Sequence, residues 1–183
     1  MEPVVISTWK HGLDANEEAY KHLIEGKSSL DSIENGLVVT ENDPTVLSVG
    51  YGGLPDSEGR VTLDASLMDW KARIGSVIAV EHIKNPIKLA RIILEDTEHT
   101  VLAGDGAYNF AIQNGFEPEI LLTENSLKRF REWKATGFKK SLEIHTDDFK
   151  LYQGQEGNHD TIGMLAMDKA GNISAGVTTS GLA

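Results

Sequence analysis

Thr161 stands where a histidine and an aspartate, His159 and Asp160, meet a β-branched apolar run, TIGMLAM. A hydroxyl in that setting has one demanding chemistry open to it. If the Asp160–Thr161 bond were cut, the freed α-amine of Thr161 would lie beside its own hydroxyl and could serve as its base. Such amines titrate near about 7.7 to 8.0, so a useful fraction is neutral at physiological pH. The nucleophile would also need a yielding segment before the scissile bond and a strand after it to hold the hydroxyl. Residues 137–160, GFKKSLEIHTDDFKLYQGQEGNHD, are rich in charge and glycine and read as an exposed connector. TIGMLAM supplies the strand. On these residues alone, a threonine that merely opens a strand is the commoner case, and both readings stay open.

Other chemistry-bearing residues are weaker. Gly104-Asp105-Gly106-Ala107-Tyr108-Asn109 follows a strand-like run and opens a helix, as a phosphate loop would, but Asn109 stands where the third glycine belongs. An ordinary strand-to-helix turn explains it better than dinucleotide binding. His145 lies near Asp147 and Asp148, and His159 beside Asp160, yet neither group has the helical spacing or cysteine partners of a zinc site. We expect no metal and no cofactor. Asn172-Ile173-Ser174 matches a glycosylation sequon, which matters only in a secreted chain.

Composition narrows the function classes. The 183 residues suffice for one domain with a substantial core. With 17 basic against 28 acidic side chains, the net charge of -11 opposes broad contact with nucleic acid or an anionic membrane, so a small-molecule substrate is expected. The absence of cysteine excludes a disulfide framework and thiolate metal clusters. MEPVVISTWKHG has neither the charge nor the apolar length of a signal peptide, and a cytoplasmic location is the expectation.

The elements that must position these residues alternate as in an α/β domain. VVIST, residues 4–8, reads as a strand, followed by a helix over 14–25 with Ala15, Ala19 and Leu23 on one face and Gly26 as its cap. A second helix runs from Ser28 or Ser29 to just before Asp43-Pro44, with Leu30, Ile33 and Leu37 in a stripe. TVLSVGYGG, RVTLDASLMD and RIGSVIAVEHI read as three neighbouring strands of an antiparallel or mixed sheet. PIKLARIILED is a helix with proline in its first turn, HTVLAG a strand, and AYNFAIQNG a helix closed by Gly115. Thr123 caps a last helix carrying Leu127, Phe130 and Trp133. TIGMLAM and NISAGVTTS form a hairpin through DKAG.

Five ordered blocks then carry a resemblance. STW at 7–9, SVGYGGLPDSEGRVTLDASLMD, IGSVIAVEHIKNPI, GDGAYNFAIQNGF, and HDTIGM followed by DKAGN and TTSG resemble, in the same order, the glycosylasparaginases. These are the N4-(β-N-acetylglucosaminyl)-L-asparaginases of the asparaginase type 2 family, within the N-terminal-nucleophile hydrolases. The similarity runs from about Ser7 to the last residue.

The resemblance implies a four-layer αββα sandwich, with 1–160 as an α-subunit-like segment and 161–183 as the start of a β-subunit-like one. It implies self-cleavage at Asp160–Thr161, assisted by His159 and the Asp160 carboxylate. It makes Thr161 the nucleophile, Thr179 a hydroxyl hydrogen-bonded to it, and Trp9 part of the substrate pocket wall. The implied reaction is hydrolysis of N-acetylglucosaminyl-asparagine to aspartate and aminosugar. L-asparaginase or isoaspartyl peptidase activity is the alternative within the fold, although His159 stands where those relatives carry glycine. The implied assembly is a dimer of αβ heterodimers. The family's carboxylate-binding arginine, its aspartate and a Thr-Gly oxyanion hole follow TTSG, whereas residues 177–183 contain none of these. The expectation is thus a chain that is truncated or part of a longer precursor, a non-catalytic fragment or a poor hydrolase on its own.

Overall fold

The structure, a computed structural model, describes residues 1–135 and 161–180. The connector assigned to 137–160 lies outside the described residues. Six strands, β1 (Val4–Ser7), β2 (Thr62–Met68), β3 (Ile74–Glu81), β4 (Val101–Ala103), β5 (Ile162–Met167) and β6 (Ile173–Thr179), form one mixed sheet in the order β1-β5-β6-β2-β3-β4. All neighbours are antiparallel except the β3–β4 pair. The hairpin β5–β6 therefore lies between β1 and β2, inside the sheet rather than at its edge.

Helices α1 (Gly12–Ile24), α2 (Ser29–Asn42) and α3 (Pro86–Asp96) pack on one face, with α1 and α2 against β1, β5 and β6 and α3 against β2 and β3. Two further helices are α4 (Gly104–Gln113) and α5 (Glu124–Ala135). Among the described residues, no helix is long and apolar enough to cross a membrane.

The caps explain where these helices stop. Gly26, at φ 87°, ends α1, with its N–H donating to the Leu23 carbonyl and the Lys27 N–H to that of His22. The Ser28 hydroxyl accepts the Asp31 N–H and opens α2. Thr123 and Ser126 exchange hydrogen bonds at the start of α5. Helix α1 begins two residues before the expected Asp14 because the Trp9 and Lys10 carbonyls already accept from Gly12 and Leu13.

The core lies between helices and sheet. Leu63, Leu67, Val77, Val80 and Ile162 from the strands meet Ile33, Leu37, Ile87 and Ile93 from the helices, all with no exposed surface. Among the described residues nothing covers the opposite face, where Val4, Ile6, Leu165, Ile173 and Val177 are 42 to 62 % exposed. Strands β1 and β5 thus carry apolar side chains on both faces, as in a sheet built to be buried twice.

One expected strand is not formed. TVLSVGYGG is a run of turns, because Gly50 and Gly52 take φ of 60° and 87° and the chain folds back onto the end of α2, where the Tyr51 N–H donates to the Glu41 carbonyl at 2.8 Å. The neighbouring Ser48 carbonyl is spent on the end of β6, and the Leu47 carbonyl is shared between the Leu54 N–H at 2.7 Å and the Ser180 hydroxyl at 3.4 Å. The GDGAYN stretch is the tight turn expected of it: β4 passes directly into α4 at Gly104, φ 51°.

Two glycines separate packing from backbone freedom. A Cβ on Gly75 would overlap the Ala90 carbonyl oxygen and come within 2.5 Å of the Leu94 nitrogen, both backbone atoms of α3. Gly106, inside α4, has nothing within 4 Å of that position. Gly75→Ala should destabilise the fold by about 1–3 kcal/mol through overpacking. Gly106→Ala should be neutral or stabilising by up to about 1 kcal/mol. Urea unfolding of the two variants checks the contrast.

Candidate active site

The site grows out of register. Ile162 faces Thr178 across β5–β6, and the next step of the same register sets Thr161 opposite Thr179. Thr179 in turn pairs with Asp64 on β2. Side chains alternate along strands, so Thr161, Thr179 and Asp64 form a row on the uncovered face, while Ile162, Thr178 and Ala65 point to the helices. Two of the residues assigned to the site, Thr161 and Thr179, are thus brought together from opposite ends of one hairpin. His159 and Asp160 lie outside the described residues.

Trp9 comes to the same place from the other side. The end of β1 runs beside the start of β5, and the Trp9 indole N–H donates to the Thr161 carbonyl oxygen at 3.0 Å. The Thr8 hydroxyl reaches the same oxygen at 3.3 Å. Trp9 sits at φ 65°, in the left-handed region that bulky residues avoid, at a cost of order 1–3 kcal/mol that only over-determined surroundings sustain. Ser7, one residue before Thr8, donates its hydroxyl to the Gly12 carbonyl at 3.0 Å and so ties this corner to the start of α1. Ser7 is therefore anchored to the start of α1, while Thr8 and Trp9 share one anchor, the Thr161 carbonyl.

Thr179 is held from behind. Its hydroxyl donates to the Ser48 carbonyl at 3.2 Å, and the Ser180 N–H donates to that same oxygen at 2.7 Å. Asp64 accepts the Ala79 N–H at 2.7 Å, which pins the bulge in the β2–β3 pair where Ala79 takes φ 52°.

Beneath the row lies a carboxyl group that sequence reasoning missed. Glu41, the next-to-last residue of α2, has no exposed surface. Its side chain accepts the Thr178 hydroxyl at 2.7 Å, the Ile87 N–H at 3.0 Å and an Asn85 amide N–H at 3.1 Å. One group thus joins the end of α2, the start of α3 and strand β6, one residue from Thr179. Burial pushes the Glu41 carboxyl up to about 8, against those three hydrogen bonds and the Lys88 charge, which pull it down. The signal was present: Ile33, Leu37 and Glu41 recur at four-residue spacing, so an acid occupies the apolar stripe. Thr8 carried a weaker one, its place beside Trp9, and Ser48 acts through its carbonyl, which side-chain chemistry cannot announce.

The sign of the pH effect follows from linkage. Between Glu41's ordinary value of 4.5 and about 8 the unfolded chain has released this proton and the folded chain keeps it, so Glu41's contribution to stability falls as pH rises through that window and levels off above it. The slope is at most about 1.4 kcal/mol per pH unit. Glu41→Gln removes the titration; urea midpoints from pH 5 to 9 should show the wild type losing stability relative to the variant up to about pH 8.

Comparison with known proteins gives the family of the chain. Residues 7–183 match the family model described as Asparaginase. The chain is 50 % identical over its whole length to an N(4)-(Beta-N-acetylglucosaminyl)-L-asparaginase of Elizabethkingia miricola, covering 50 % of that protein. It is 36 % identical to the enzymes of that name from Mus musculus and Rattus norvegicus, with 98 % of this chain aligned to 58 % of each. The chain spans about half the length of the curated relatives it matches. The resemblance read from STW, HDTIGM and the blocks between them holds over the full match: this chain belongs to the asparaginase family.

Proposed function

We propose that the protein to which this chain belongs is an amidohydrolase that releases aspartate from N-acetylglucosaminyl-asparagine, with Thr161 as nucleophile after scission of Asp160–Thr161. The observation that carries this reading is the convergence on Thr161: its carbonyl is held by Trp9 and Thr8, and the register sets Thr179 opposite. The names of the three relatives supply the substrate class.

In scission, the Thr161 hydroxyl attacks the Asp160 carbonyl carbon, the acyl group passes from nitrogen to oxygen, and water hydrolyses the ester. This leaves Thr161 with a free α-amine. In turnover, that amine accepts the hydroxyl proton as the oxygen attacks the side-chain amide carbonyl of the substrate. The tetrahedral intermediate expels the aminosugar as its amine, the proton returns to that leaving nitrogen, and water cleaves the aspartyl ester. Thr179, on the neighbouring strand, orients the nucleophile, and the Trp9 ring lines the sugar side of the pocket. His159 and the Asp160 carboxylate assist scission.

The uncovered sheet face supports the finer fold reading. A second sheet, contributed by the part of the protein that the longer relatives carry beyond this match, would pack on Ile6, Leu165, Ile173 and Val177 and complete an αββα sandwich. The carboxylate clamp and oxyanion hole would come with that part, and two αβ units would pair. The compartment we assign is the cytoplasm.

Intact-mass measurement tests the first step. The chain should yield fragments 1–160 and 161–183, and Thr161→Ala should remain whole. Cleavage that persists in Thr161→Ala would overturn the self-processing mechanism.

A further inference from the structure

We propose that Thr8 is a positioning residue for the nucleophile: its hydroxyl bridges the Gly163 N–H of β5 and the Thr161 carbonyl just before that strand, and thereby fixes the orientation of Thr161. The inference rests on the reading of Thr161 as nucleophile given above.

The argument begins with the end of a ladder. Strand β1 pairs with β5 as far as Ser7 and Met164, and the next residue, Thr8, donates its N–H to the Gly163 carbonyl at 3.0 Å. A continued ladder would return the Gly163 N–H to a β1 carbonyl. Trp9 instead turns into the left-handed region, and the Gly163 N–H donates to the Thr8 hydroxyl oxygen at 2.9 Å. A hydroxyl has one proton, and with its oxygen accepting from Gly163 that proton is directed to the Thr161 carbonyl at 3.3 Å. The side chain thus does what a main-chain rung would have done, and reaches one peptide farther.

Scission makes this contact matter more. A residue at a new N-terminus has lost the peptide bond on its amino side, so its orientation depends on what holds its carbonyl side. The Thr161 carbonyl oxygen has the Thr8 hydroxyl and the Trp9 indole N–H on its two lone pairs. Together they limit rotation of the Thr161 peptide plane, and with it the direction in which Cβ carries the hydroxyl. Displacing a nucleophile by about 1 Å can cost on the order of a hundredfold in rate. Valine has the shape of threonine, so replacing the Thr8 hydroxyl by a methyl group creates no cavity.

The experiment uses the whole protein, with aspartate release from N-acetylglucosaminyl-asparagine as the assay. Thr8→Val should lower kcat by roughly ten- to a hundredfold while KM and the thermal midpoint stay near wild type, and Thr8→Ser should restore most of kcat. Wild-type kcat in Thr8→Val, beside an inactive Thr161→Ala, would overturn the role of Thr8 and leave the nucleophile standing. Parallel loss of kcat and of thermal stability in both Thr8 variants would assign the side chain to packing and overturn it equally. Full activity in Thr161→Ala would instead remove the nucleophile reading on which the proposal rests.

Discussion

The antiparallel register of β5 against its two neighbours is the constraint from which the candidate site follows. Thr161 is 153 residues from Thr8, yet they meet because β5 pairs with β1 on one side and with β6 on the other. Side chains alternate with period two, so a slip of one residue would turn Thr161 toward the helices and bring Ile162 to the open face. What prevents the slip is packing. Gly176 leaves room for Ile33 and Leu37 of α2, and a Cβ there would lie within 3 Å of both. Ile162, Met164 and Ala166 are buried beneath the same helices.

Glu41 strengthens the same arrangement from below. A buried carboxyl is costly unless its neighbours satisfy it, and here α3 offers a first-turn N–H, β6 a hydroxyl and Asn85 an amide. Its main-chain carbonyl accepts the Tyr51 N–H and so begins the glycine-rich loop whose Ser48 carbonyl takes the Thr179 hydroxyl. One residue therefore bears on β6 twice, through its side chain at Thr178 and through the loop at Thr179. Replacing it by an apolar residue would leave three donors without that acceptor.

Much of the fold was legible because its elements carry local signals. The apolar stripe of α2, proline at the start of α3 and the DKAG turn each name their element, and the Asp168 carboxylate indeed closes that turn on the N–H groups of Ala170 and Asn172. The run TVLSVGYGG misled for a physical reason. Its composition favours a strand, while its conformation is decided by what the loop carbonyls must reach on β6 and α2, which no local window contains. The site divides in the same way. Thr161, Thr179 and Trp9 belong to recognisable motifs, whereas the partnership of Thr8 with Gly163 depends on where a ladder happens to end. His159 and Asp160, legible in the motif, lie outside the described residues.

The interior position of the β5–β6 hairpin changes what a cut before Thr161 would mean for the molecule. A strand at the edge of a sheet can peel away, but this hairpin is bonded to β1 along one side and to β2 along the other. Its departure would open two new edges and the core beneath them at once. The two polypeptides left by the proposed scission would therefore behave as a single cooperative body, separating only as fast as the sheet itself unfolds. Return from the denatured state would then be a second-order encounter between chains, although the first folding, on an uncut chain, was first order. Such a protein would be assembled once by a unimolecular route that its mature form no longer possesses.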